Sequence, residues 1–181
     1  MQSYCNLSDG ASGLETAQVA AGANEASFPG SAPFELPADI SEWVAPSVLA
    51  GWVQEEVQAL EWHDPEPVRV LLGNRPQAML AMLAFAYATR VFDTEEILRA
   101  CREDPRFRSL CEGAAPFAQD VIRFRRANRG RLVDVVALIL TRAVQERFNW
   151  LASPLSLEVR RRALANAVER LDIARHMESE V

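Results

Sequence analysis

From about residue 47 onward, apolar residues recur at intervals of three and four, a pattern that predicts helices and almost no strands. Residues 1–36 differ: they are rich in Ala, Gly, Ser, Asn and Gln, and carry acids without bases. Such a segment cannot bury enough surface to offset its ordering entropy, so a disordered tail is expected. Pro29, Pro33 and Pro37 punctuate its end.

Ser47 is placed to cap a helix running to about Leu60, with Val48, Trp52, Glu55 or Glu56, and Ala59 marking its turns. Trp43, Trp52 and Trp62 read as core fillers. Pro65 and Pro67 interrupt the chain before Val68–Leu72, a short apolar run that reads as a strand, the start of a helix or a packed connection. Asn74 and Pro76 open the next helix, whose buried face is Met79, Met82, Leu83, Ala86 and Tyr87. Asp93 and Glu96 then form a capping box for a helix that turns Ile97, Leu98 and Cys101 inward and ends near Asp104-Pro105. A short helix through Phe107 and Leu110 stops at Gly113.

The next helix is predicted over Pro116–Asn128, with Gly130 as its exit. Phe117, Val121 and Phe124 face the core, while Gln119, Arg123 and Arg126 share another side. Leu132–Phe148 is strongly apolar, and Leu157–Met177 is a charged amphipathic helix. The fold class is therefore all-α: a compact helical bundle with right-angled short helices and a variant helix-turn-helix in the middle. Its divisions are expected at 1–36 (tail), 37–149 (helical domain) and 150–181 (C-terminal amphipathic helix).

The length of 181 residues suits one domain and a tail. No apolar run spans a bilayer, and the first ten residues lack the basic-then-apolar order of a signal peptide. Cys5, Cys101 and Cys111 show no metal-ligand spacing and read as reduced thiols in a cytoplasmic protein. The formal charge of -6 is segregated: -11 over residues 1–68, +5 over 69–131 and 0 over 132–181. All 19 basic residues are Arg, which a GC-rich genome explains as readily as phosphate recognition does.

Residues 122–131 hold five Arg and no acid: Arg123, Arg125, Arg126, Arg129 and Arg131. A helix packed through Phe124 with guanidinium groups on its other side suits DNA phosphates and guanine edges. The structural alternative is a solvated basic face pairing with the acidic first third. The capped helix, a connection and this basic helix follow the order of a helix-turn-helix, with a connection longer than usual. Gln119, Arg123, Arg125, Arg126, Arg129 and Arg131 are accordingly the candidate DNA-binding residues.

Four blocks carry a resemblance: Met82–Ala88, Ile97–Asp104, Phe107–Gly113 and Ile122–Arg126. In that order they resemble the N-terminal, InsH-like domain of bacterial DDE-type insertion-sequence transposases, over about residues 68–148. The family's pattern is an apolar helix ending in Tyr, then "I..AC.ED..FR.L..G", then "I.RFR". The resemblance implies a role in holding the element's terminal repeats, ahead of an RNase H-like catalytic domain. Glu95 stands where the family usually has a base, and Phe117 and Asp120 where it favours Asp and then Thr. These departures remove a phosphate contact and add negative charge.

Catalysis is not expected. The family's first metal-binding Asp lies on a "DGT" strand that follows the domain. Here the only Asp-Gly pair is Asp9-Gly10, in the tail. His63-Asp64 reads as an exposed loop pair, and no Walker or Rossmann glycine pattern occurs. Arg160-Arg161-Arg162 reads as a solvated face or a second weak phosphate contact. No cofactor, metal, small-molecule ligand or membrane is expected as a partner. Two function classes remain: a salt-dependent DNA-binding module, and a helical interaction scaffold. The scaffold would be a degenerate transposase remnant with no DNA role, or a dimer built through Leu132–Phe148 on the stripe Val133, Val136, Leu140, Val144 and Phe148.

Overall fold

The computed structural model describes residues 35–60, 76–148 and 157–179. The expected tail, Trp62, His63 and the Val68–Leu72 run lie mainly or wholly outside them. The described residues form an all-α bundle: a 3-10 turn at Ile40–Glu42, α1 (Pro46–Ala59), α2 (Pro76–Ala88), α3 (Thr94–Glu103), α4 (Pro105–Leu110), α5 (Ala118–Ala127), α6 (Arg129–Arg147) and α7 (Leu157–Ser179). No described helix is long and apolar enough to cross a membrane.

The helix at the centre is α2. Pro76 and every residue from Ala78 to Ala88 are buried, so the predicted stripe understates it. A helix apolar on all sides has to be enclosed, and α1, α4 and α6 enclose this one. Enclosure creates a polar problem, because the last four carbonyls of a helix have no partner within it. All four are met. Phe85 O accepts from Thr89 N (3.0 Å) and Thr89 Oγ1 (2.9 Å), and Ala86 O from Val91 N (2.8 Å). Arg170 Nη1, arriving from α7, donates to Tyr87 O (2.7 Å) and Ala88 O (3.1 Å). The chain leaves α2 through Arg90 in the left-handed region, at φ 62.

Arg170 also donates from Nη2 to Pro37 O (2.7 Å) and from Nε to Asn166 Oδ1 (2.7 Å). It is buried, and burial pulls its pKa down to about 10, which leaves it protonated at neutral pH. One side chain thus joins the segment before α1, the end of α2 and α7.

At α1 the predicted start is corrected. Pro46 occupies the first turn with Ala45 before it, so Ser47 lies inside the helix and caps nothing. The inward residues are Leu49, Trp52, Val53 and Val57, and Val48 is exposed. Trp52 is buried beneath the Arg142 guanidinium, 4.6 Å from its ring centre, and Trp43 meets Phe148 edge-on at 6.0 Å. The Asp93 cap holds, with Oδ1 accepting from Glu96 N at 2.9 Å. Asp104 caps α4 in the same way and takes a two-pronged contact from Arg106, which holds its carboxyl below the usual carboxylate range. Gly113, at φ 81, closes α4 by donating to Arg108 O at 2.8 Å.

The most extensive packing joins α6 to α7. Val159, Ala163, Ala167, Leu171 and Ala174 are buried along α7, so that helix shares the core. The compact unit runs from Glu35 through α7, and the boundary expected at 149/150 does not separate two bodies. Of the stripe expected to pair two copies, Phe148 remains 38% exposed. Val133, Val136, Leu140 and Val144 are buried within the chain itself, where α6 packs against α7, α2 and α1.

Arg170→Ala is expected to lower unfolding free energy by about 3 kcal/mol or more, because buried carbonyls lose charged donors. Urea unfolding followed by circular dichroism checks this, and a loss below about 1 kcal/mol contradicts it. Cys101 and Cys111 are both buried, and burial pushes the Cys101 thiol up to about 12. In a Cys5→Ser background, both thiols should react with a disulfide reagent at pH 8 more than about a hundredfold slower than a free cysteine. Rapid labelling of the native protein would contradict their placement.

Candidate nucleic-acid interface

α5 is amphipathic, but its register differs from the prediction. The helix starts at Ala118, with Phe117 preceding it at the cap position and 78% exposed. Pro116 is buried instead, so the inward pattern begins with Val121 and continues through Phe124 and Arg125. Gln119, Arg123 and Arg126 are all exposed, as their i, i+4, i+7 spacing predicts.

Arg125 is the main correction. It is only 4% exposed and belongs to the core side of α5. Its Nη1 donates to Ala174 O (3.0 Å) and to Glu178 Oε1 (2.6 Å) on α7. Its Nη2 reaches Phe92 O (3.4 Å) and Thr94 Oγ1 (3.5 Å), and the guanidinium lies 5.5 Å from the Tyr87 ring centre. Burial pushes the Tyr87 hydroxyl far above its ordinary pKa, so it stays neutral in this site. Arg125 is therefore withdrawn as a DNA contact. The sequence held the sign of this, since Val121, Phe124 and Arg125 stand at i, i+3, i+4.

The second correction concerns continuity. Asn128, at φ -115 and ψ 23, ends α5 and precedes α6. Its N–H and Nδ2 both donate to Phe124 O, at 2.9 and 3.2 Å, and its own carbonyl accepts from Leu132 N at 3.0 Å. A side chain that bonds back to the backbone favours a helix end, and it places the exit two residues before Gly130. Gly130 sits inside the first turn of α6. Arg129 and Arg131 hence belong to a second helix, and the five arginines do not form one ladder.

Their environments differ accordingly. Arg123 is exposed and makes no ion pair among the described residues. Arg126 is 73% exposed, with Nε 3.9 Å from Glu178 Oε2. Arg129 pairs with Asp172 of α7 at 2.9 Å, both side chains part-exposed. Arg131 is half-buried and donates to Asn128 Oδ1 at 3.4 Å. The first turn of α6 holds no acid, so its positive dipole end adds to theirs. The acids of α1 lie elsewhere, Glu55 and Glu56 both reaching Arg142.

Three buried charged side chains, Arg170 and the paired Arg125 and Glu178, escaped the sequence reading. Each sits on an alanine-rich inward stripe of α7 or faces one, and a lone charge on such a stripe is the signal. Among the described residues no group of three or more His, Cys, Asp or Glu is placed to hold a metal ion. No protein-family model, curated protein or solved structure matches the chain.

Arg125→Ala is expected to cost about 3–5 kcal/mol, because Glu178 is left buried without its counter-charge. Arg123→Ala should stay within about 0.5 kcal/mol of the parent. Equal losses in chemical denaturation would contradict the division between buried and outward arginines.

Proposed function

We propose that this chain is a DNA-binding module that grips the phosphate backbone through the elbow between α5 and α6. The observation that carries this is the two-sidedness of α5. Val121, Phe124 and Arg125 fix one side in the core, while Gln119, Arg123 and Arg126 stand outward. Guanidinium groups held on a rigid element can meet phosphate oxygens with little further ordering. Arg129 and Arg131, in the acid-free first turn of α6, extend the positive surface past the bend.

The capped helix α3, the short α4 and α5 follow the order of a variant helix-turn-helix, with α5 as the reader. This agrees with the resemblance to transposase N-terminal domains, whose expected role is holding an element's ends. In this reading the chain performs no catalysis and acts in a bacterial cytoplasm, on the nucleoid when bound. The scaffold alternative is the weaker reading, because most of its proposed stripe is covered by the chain's own helices.

Fluorescence anisotropy with a short duplex of unrelated sequence tests the proposal. Three or four phosphate contacts give a slope of log affinity against log salt of about -3. Replacing both Arg123 and Arg126 with Ala should weaken binding and flatten that slope by about 2 units, with helicity unchanged. No binding at about 50 mM salt, or equal binding at about 50 and about 300 mM, would overturn it.

A further inference from the structure

Two acids on the last turns of α7 face the same arginines that the proposed DNA contact uses. Asp172 Oδ1 lies 2.9 Å from Arg129 Nη2, and both side chains are part-exposed. The Glu178 side chain is 5% exposed, and its two oxygens reach Arg125 Nη1 at 2.6 Å and Arg126 Nε at 3.9 Å. Carboxylates offer a guanidinium much the same acceptor geometry as phosphate oxygens do. We infer that the end of α7 is a built-in phosphate mimic, with Asp172 as a brake on polyanion binding at the α5–α6 elbow. This rests on the DNA-binding reading and supplies its regulation.

The two acids divide the work by burial. Glu178 cannot leave Arg125 without uncovering a buried charge, so it holds α7 against α5. Asp172 is tied only to a part-exposed arginine, and such pairs are weak and screened by salt. An incoming phosphate can therefore take Arg129 from Asp172 while the fold stays intact. Arg123, which makes no ion pair among the described residues, gives the polyanion its first contact. Within the acidic leading segment, the described acids Glu55 and Glu56 reach Arg142, away from this elbow.

The test compares the full chain with its Asp172→Asn and Asp134→Asn variants, by anisotropy on one short unrelated duplex over a salt series. Asp134 is an exposed acid on α6 that makes no ion pair among the described residues, so its variant matches the change in net charge. Asp172→Asn is expected to tighten binding about three- to tenfold and to steepen the salt slope by about 0.9, as one more cation meets a phosphate. Asp134→Asn should move affinity by less than about twofold. Adding Arg129→Ala to Asp172→Asn should abolish the gain. If the parent binds with a steep salt slope but Asp172→Asn gains no more than Asp134→Asn, the brake is wrong and the DNA reading stands. If neither parent nor variant binds at the lowest salt, both fall together.

Discussion

The described part of this bundle depends on how the carbonyl end of an enclosed helix is satisfied. α2 is apolar on every side, so its last carbonyls meet side chains and turns rather than water. Thr89 and the turn through Arg90 serve Phe85 and Ala86, and the guanidinium of Arg170 serves Tyr87 and Ala88. A few residues on, Arg125 reaches the carbonyl of Phe92. Both buried arginines therefore work beside the exit of α2, and α7 is the element they share. It carries Arg170 and offers Glu178 and Ala174 O to Arg125. An ammonium would not replace them, since a planar fork is needed to serve several carbonyls at once.

Fixing α7 in that place has consequences for charge. The same helix that supplies Arg170 brings Asp172 and Glu178 beside the α5–α6 elbow. Of the five arginines in residues 122–131, one is consumed by the fold, one is held by a part-exposed acid, Arg131 is half-buried beside Asn128, and Arg123 and Arg126 remain most open. A sequence rich in clustered arginine thus yields a smaller basic surface than its count suggests. Function then turns on which guanidinium groups the packing leaves outward.

Much of this was legible before any coordinates. The 3.6-residue periodicity predicted the helices of the described segments, and Asp93 and the Asp104-Pro105 stop fell where capping rules put them. The outward set Gln119, Arg123 and Arg126 followed from spacing alone. What failed has common causes. Phe117, a large apolar residue, suggests a core position inside the helix, but the helix begins after it. Gly130 suggests an exit because glycine often ends a helix, while Asn128 has the side chain that makes the break. Arg125 and Arg170 were missed because charge outweighed position, although both stand on inward stripes. Most of the apolar stripe of α6 is buried by packing against the chain's other helices, a tertiary fact that periodicity alone does not show.

The central claim is that α5 presents Arg123 and Arg126 outward to a phosphate backbone while Arg125 remains in the core. Titration of the isotope-labelled chain with a short DNA duplex, followed through arginine Nε–Hε resonances, reads this directly. Shifts at Arg123, Arg126 and Arg129, with Arg125 and Arg170 unmoved, are the expected result. No shift at low salt, or shifts centred on Arg142 and the α1 side of the bundle, would contradict it.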